Sequence, residues 1–340
     1  VKSGFSRTVA ANNLKISTLV NTNLYLPMPS RRHFVKTLAA GALFVPAFNL
    51  LSCKPEKKET VDTGLKISLA QWSLHRAFEK GELQAVNFAA LARQYNINAV
   101  EYVNGFYRDK GVDEKFWNEM KRTADNEGVT NLLIMIDEEG DLGNPDSAAR
   151  TTAIENHYKW LHAANLLGCH SVRVNAFGEG SREDVQKAMI DSMQRLGEYA
   201  APLNLNILIE NHGLFSSDGK WVAEVIQQSG KTNCGTLPDF GNWCLSAKWG
   251  TTQIECAEVY DRYQGVADLL PFAKGVSAKS YAFDADGNET RIDYLRLLKL
   301  VKDSGFDGYV GIEFEGFDMA EPDGIIATQQ LLERSWQQLA

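Results

Sequence analysis

The stretch Asn206-Ile207-Leu208-Ile209-Glu210-Asn211-His212-Gly213 decides how this sequence folds. Three aliphatic residues run without a polar break, end in a carboxylate, and pass through a polar pair to a glycine. A strand of a parallel sheet reads this way, because helices cover both of its faces and leave no polar side. Working outward, the same design recurs at Lys66–Gln71, Ala99–Val103, Asn131–Ile136, Ser171–Asn175, Gly235–Asp239, Gly275–Lys279 and Tyr309–Glu313. Helical periodicity fills stretches between them, at Leu83–Tyr95, Glu155–Leu167, Glu183–Ala201, Trp221–Gln228 and Tyr294–Asp303. Gly128, Gly168, Gly230 and Gly305 stand near helix ends, where a left-handed cap is wanted. Eight strand-then-helix units from Leu65 to Ala340 have the length and rhythm of an α/β fold, a single-domain (β/α)8 TIM barrel. A doubly wound open sheet would need a glycine-rich phosphate turn after an early strand. The first strand instead runs into Gln71-Trp72-Ser73-Leu74-His75.

Composition narrows the function. Of 340 residues, 44% are hydrophobic and 23% charged, enough apolar material for a large core. The formal net charge of -8 repels phosphate backbones, so no nucleic-acid partner is expected. The folded part has no apolar run of about eighteen residues, the length of a membrane span.

The N-terminus reads as a targeting segment rather than as part of the fold. Ser30-Arg31-Arg32-His33-Phe34-Val35-Lys36 resembles a twin-arginine export signal, and an apolar run from Thr37 to Phe48 follows. Leu50-Leu51-Ser52-Cys53 resembles a lipobox with Cys53 as the lipidated residue. The expected organisation is an over-extended stretch over 1–27, a signal peptide over 28–52, a tether over 53–64 and the barrel over 65–340. The product is then expected to be exported and held to a membrane only by lipid on Cys53, in the periplasm or at the cell surface. Cys169, Cys234, Cys244 and Cys256 remain. An even number in an oxidising compartment permits disulfides, but buried free thiols are the favoured reading.

Barrel enzymes carry their chemistry at the C-terminal ends of strands. The fifth strand ends at Glu210, the sixth at Asp239 and the eighth at Glu313. A charge that closes an apolar strand must be solvated, paired or bound to metal. Three carboxylates at one rim repel each other, and a divalent cation removes that repulsion. Oxygen-rich ligation points to Mn2+ or Mg2+, with Zn2+ if a nitrogen joins. Lys279 ends the seventh strand, either as a catalytic cation or as a partner of Asp239 or Glu313. Arg173 and Asn175 lie two apart on the fourth strand and so face one side, where they line the site or pair structurally. His212 is a candidate acid, ligand or substrate contact. Glu101 and Asp137 end the second and third strands, as hydroxyl acceptors or plain caps. Trp72, Tyr102, Phe106, Tyr107, Trp243, Tyr281 and Phe317 fall near predicted strand ends, where aromatics stack on sugar rings or merely close the barrel mouth.

The segments I-E-N-H-G (209–213), D-F-G-N (239–242), S-A-K-S-Y (277–281) and G-Y-V-G-I-E-F-E-G (308–316) resemble, in order and spacing, the xylose isomerase-like barrel superfamily. That group contains sugar isomerases and epimerases, inosose dehydratases and endonuclease IV relatives. The resemblance spans Leu65 to the C-terminus. It implies a metal held by Glu210, Asp239 and Glu313. The superfamily's fourth ligand, a His after the seventh strand, is replaced by Ser277, and its second His after the sixth is replaced by Asn242. His212 or Glu315 could supply a ligand in compensation. The implied chemistry is proton abstraction beside a carbonyl, with Glu210 or Glu313 as base and Lys279 assisting. His212, Arg173, Asn175, Asn242, Tyr281, Glu315 and Trp72 are then the candidate substrate contacts. The expected function is a metal-dependent isomerase or epimerase on an unphosphorylated sugar or polyol. The alternatives are a lyase or dehydratase on a keto-sugar or 3-keto-glycoside, and a non-catalytic sugar-binding lipoprotein. A nuclease is disfavoured by the acidic balance.

Overall fold

Eight aliphatic runs become eight parallel strands, each within two residues of its expected span at either end. They are β1 (Lys66–Ala70), β2 (Ala99–Val103), β3 (Thr130–Met135), β4 (Ser171–Val174), β5 (Asn206–Glu210), β6 (Cys234–Leu237), β7 (Val276–Ser280) and β8 (Tyr309–Phe314). The computed structural model describes residues 64–340. The expectations for the leader, Cys53 and nearly all of the tether therefore lie outside the described residues. Hydrogen bonding orders the strands β6-β5-β4-β3-β2-β1-β8-β7. The two end strands meet through the bridges Thr236↔Ala273 and Asp239↔Ser277, which close the sheet into a barrel. The backbone N–H of Ser277 donates to the Pro238 carbonyl at 2.9 Å, and that of Phe240 to the Ser277 carbonyl at 3.0 Å. This seam joins two of the strand ends expected to carry chemistry.

The helices follow the same logic with larger differences. The helix expected over Glu183–Ala201 spans Arg182–Ala200, and Tyr294–Asp303 is as read. The one expected from Glu155 starts at Ser147, because the Asp146 side chain accepts from the Ala149 N–H and caps it. The stretch Leu83–Tyr95 is split into a short 3-10 turn and Phe88–Gln94. The sequence reading passes over Glu114–Glu127, whose buried face is only Trp117, Met120 and Ala124. Gly128, Gly168 and Gly230 are left-handed helix caps, as their placement suggested. Among the described residues, no helix is long and apolar enough to cross a membrane.

Period-two alternation sorts side chains between two cores. Ile207 and Ile209 pack outward against the helices, whereas Leu208 joins an inner cluster with Leu133, Met135 and Leu237. Glu210, two residues after Leu208, therefore points into the barrel. By the same register Val172 and Val174 face out and Arg173 faces in, Ala278 faces out and Lys279 in, Ile312 out and Glu313 in. The charged residues converge because each strand keeps its apolar partners on the helix side.

The loop after β6 is tied by a disulfide between Cys244 and Cys256. The free-thiol expectation holds for the buried Cys169 and Cys234 and fails for this pair. Spacing could not reveal it, because the pairing depends on the loop folding back: the Cys244 N–H donates to the Gly250 carbonyl at 2.9 Å. Closing a loop of this size contributes about 3 kcal/mol, chiefly by restricting the unfolded chain. The double substitution Cys244→Ala/Cys256→Ala should therefore lower unfolding free energy by about that amount. Urea denaturation of the oxidised wild type beside the variant measures it, and equal midpoints would contradict it.

Candidate active site

Glu210, Asp239 and Glu313 each offer a carboxylate oxygen, and these atoms lie within 4.8 Å of one another. All three residues are buried. Asp239 is fixed by its own turn: its Oδ1 accepts the backbone N–H groups of Gly241 at 2.7 Å and Asn242 at 2.8 Å. Ser277, where the resembling family has a histidine, places its hydroxyl 2.5 Å from Asp239 Oδ2 and 2.8 Å from Glu313 Oε2. One hydroxyl carries one proton, so it can donate to only one of these oxygens at a time. The other contact requires a proton on a carboxyl or a cation between them.

Two cations border the cluster. Lys279 Nζ stands 3.1 Å from Glu313, 3.1 Å from Glu315 and 3.9 Å from Asp239. Burial opposes its charge, but these carboxylates outweigh burial and hold its pKa well above the usual lysine value. Arg173 lies 2.6 Å from Asp137 and 2.8 Å from Glu210. The latter contact is an ion pair without hydrogen-bond alignment, since neither Arg173 Nε nor Glu210 Oε2 has a hydrogen-bonded partner. Burial pushes the Glu210 carboxyl well above the ordinary range despite Arg173, and the charges of Glu313 and Asp239 push it further. Burial likewise raises Asp239 to about 7, against the pull of Lys279. Both carboxyls thus tend to hold protons where no metal is bound. Oxygen donors this close, with a charge surplus the protein's own cations do not cancel, fit a divalent ion.

A chain of polar contacts leads from the cluster to His212. Asn175 Nδ2 donates to Asp137 Oδ1 at 2.6 Å, which turns Asn175 Oδ1 toward His212 Nδ1 at 2.7 Å. The carbonyl oxygen can only accept, so Nδ1 carries the proton and Nε2 the lone pair. Burial, with Arg173 nearby, keeps the His212 pKa well below its ordinary value, so the ring is neutral.

A cavity of about 610 Å³ opens above these groups. Of the expected site residues, Glu313, Glu315, Arg173, His212 and Trp72 line it. Glu210, Asp239 and Lys279 are almost fully buried behind that surface. Asn175 acts from behind His212. Asn242 and Tyr281, expected to touch substrate, are buried and do not line the cavity. Asn242 instead donates from Nδ2 to Glu210 Oε1 at 3.2 Å, which positions that carboxylate. Tyr281 lies beside Gly241, where an added Cβ would sit 2.3 Å from its hydroxyl. Of the rim aromatics, Tyr102, Tyr107 and Trp243 are core residues, Phe106 packs against the core, and Trp72 and Phe317 line the cavity. Glu101 is buried beneath the site, where its Oε1 accepts from Ser68 at 2.6 Å, so it is not a substrate contact.

The sequence reading misses Trp249, Thr251 and Gln253, which form one wall from within the disulfide-tied loop. The loop approaches β5 so closely that a Cβ on Gly213 would lie 2.4 Å from the Ala247 carbonyl oxygen. Trp249 adopts φ 71°, a left-handed conformation unusual for a bulky residue, and its ring meets His212 edge-on at 5.0 Å. The Gly213 at the end of the deciding stretch was the available signal, since close backbone approach is one reason for a glycine.

Burial raises the Glu101 pKa to about 7, against the Ser68 hydrogen bond. The folded state then holds a proton that the unfolded chain has released, so this group makes stability fall as pH rises from about 4.5 toward 7. Glu101→Gln keeps the acceptor and cannot ionise. Against wild type it should gain up to about 3 kcal/mol at pH 8 and little at pH 4. Urea titrations of metal-free protein at both pH values would contradict this if the two differences were equal.

A family model described as xylose isomerase-like TIM barrel matches residues 89–335. No curated protein matches the sequence significantly. Solved structures share the fold at low identity. One is 3-keto-D-glucoside 4-epimerase from E. coli, at 14% identity over 79% of this chain and 99% of that one, TM-score 0.60. D-psicose 3-epimerase from Clostridium cellulolyticum H10 is 13% identical over 81% of this chain and 96% of its own, TM-score 0.57. The IOLI protein, solved with a bound zinc atom, is 12% identical over 81% of this chain and 99% of its own, TM-score 0.58.

Proposed function

Because the chain belongs to the xylose isomerase-like TIM barrel family, we propose that it is a metal-dependent isomerase or epimerase of an unphosphorylated sugar or polyol. The observation that carries this reading is the cluster of Glu210, Asp239 and Glu313 at the floor of an open cavity. The similar structures named above include two sugar epimerases and one zinc-bound protein, which supports the substrate class and the metal.

A divalent ion held by the three carboxylates would polarise a substrate carbonyl and stabilise the charge that develops on its oxygen. Glu313 is the member of the cluster that reaches the cavity, so it is the proposed base for the proton beside the carbonyl. Glu210 and Asp239 serve as ligands, held in place by Arg173, Asn242 and the turn at Gly241. Lys279 holds Glu313 and Glu315 in register and offsets part of their charge. His212 Nε2 is free to accept a substrate hydroxyl or to exchange a proton on its side of the cavity. Trp249, edge-on to His212 at 5.0 Å, shields that side of the cavity from bulk water.

The exported, lipid-anchored placement expected from the leader is part of the same proposal. The Cys244–Cys256 disulfide supports it, since such bonds persist in oxidising compartments.

The test is solvent proton exchange. In D2O the protein should wash deuterium into D-fructose next to its carbonyl, followed by NMR. Chelation should abolish the exchange and Mn2+ restore it. Glu313→Gln should slow it by roughly 10²- to 10⁴-fold, the usual worth of a positioned base. Exchange that persists in stripped protein, or in Glu313→Gln, would contradict the mechanism.

A further inference from the structure

The cavity is larger than one sugar ring requires. It measures about 610 Å³, whereas a hexose displaces roughly 200 Å³, the room of about seven waters at about 30 Å³ each. The reacting groups gather on one side, where Glu313 on β8, Arg173 on β4 and His212 after β5 meet. The other side lies over the ends of β1 to β3 and presents Trp72, Asn104, Arg108, Met135 and Glu138. None of the metal-cluster residues lies there.

This second half has the features of a sugar platform. Trp72 stacks on His75 at 4.7 Å with an interplanar angle of 12°, and His75 Nδ1 bonds back to the Trp72 carbonyl at 2.7 Å. The indole is thereby held rigid, with Phe106 also packed against it at 6.0 Å, and the part of the ring that lines the cavity offers apolar contact for pyranose C–H groups. Phe317, 69% exposed, extends the apolar rim from the neighbouring end of β8. Arg108 and Glu138 pair at 2.5 Å across the rim and supply donors and acceptors for hydroxyls. Glu138 holds φ 58°, a backbone conformation that costs energy for a residue with a side chain and is found where surroundings enforce it.

We propose that the half of the cavity over β1 to β3 is a second sugar subsite, and that the substrate is a ketose carrying a glycosidically linked second sugar. This rests on the sugar isomerase reading and names its substrate class. The reacting ketose sits over Glu313, and the second ring packs against Trp72.

Calorimetric titration of the Mn2+-loaded protein tests it. D-fructose is compared with turanose, maltulose and palatinose, which carry glucose on O3, O4 and O6 of the same ketose. At least one of the three should bind tenfold or more tightly than D-fructose. Trp72→Ala should cut that advantage to threefold or less. Equal affinity for fructose and all three disaccharides overturns the proposal. So does an advantage that survives Trp72→Ala, or the absence of binding by any of the four. Deuterium wash-in is read separately. Tight disaccharide binding without exchange would refute the proposed reaction and leave the subsite standing. Exchange on fructose without any disaccharide preference would do the reverse.

Discussion

Burial of more negative than positive charge at one end of the barrel is the constraint on which the site depends. Asp137, Glu210, Asp239, Glu313 and Glu315 are met by two cations, Arg173 and Lys279. Two unit charges about 4 Å apart interact by roughly 4 kcal/mol at an effective dielectric near 20, so an uncancelled surplus here is costly. Protonation is one remedy, and the raised pKa values of Glu210 and Asp239 express it. A divalent ion would be the other, leaving the carboxylates ionised as ligands. The barrel's closing seam, Asp239 against Ser277, runs through this cluster, so the same contacts that shut the barrel hold the site.

Much of this was legible in the sequence. Strands buried on both faces announce themselves as aliphatic runs, and a carboxylate at the end of such a run is conspicuous because burial without purpose costs too much. Period-two alternation then puts Arg173 and Asn175 on one side, and the two packed clusters of the structure show that Arg173, Glu210, Lys279 and Glu313 take the inner one. What stayed hidden depends on contacts distant in sequence. Asn242 and Tyr281 sit beside true site residues along the chain, but the turn at Gly241 carries Asn242 onto Glu210, and Tyr281 packs against Gly241 instead of the cavity. The wall formed by Trp249, Thr251 and Gln253 depends on a disulfide and on the close passage over Gly213, neither of which has a local pattern. The split of the helix near Leu83 and the early start at Ser147 are the ordinary limits of reading boundaries from periodicity.

Ser277 is the most informative departure from the resembling family. A histidine there would bring a neutral nitrogen ligand. Serine instead bridges Asp239 and Glu313, and Lys279 stands close by. An ion held by Glu210, Asp239 and Glu313 would therefore meet oxygen donors, a set that suits hard cations better than zinc. His212 stays outside the cluster, kept neutral by burial and Arg173, fixed in its tautomer by Asn175 and facing the cavity.

The central claim is that the three carboxylates hold a divalent ion despite the missing histidine. Titration of metal-free protein with Mn2+, by calorimetry in two buffers of different ionisation enthalpy near pH 6.5, tests it directly. The account predicts about one ion per chain, lost in Asp239→Asn, with protons released on binding, because ligand carboxyls must give them up. Absence of saturable binding, or binding unaffected by Asp239→Asn, would contradict it.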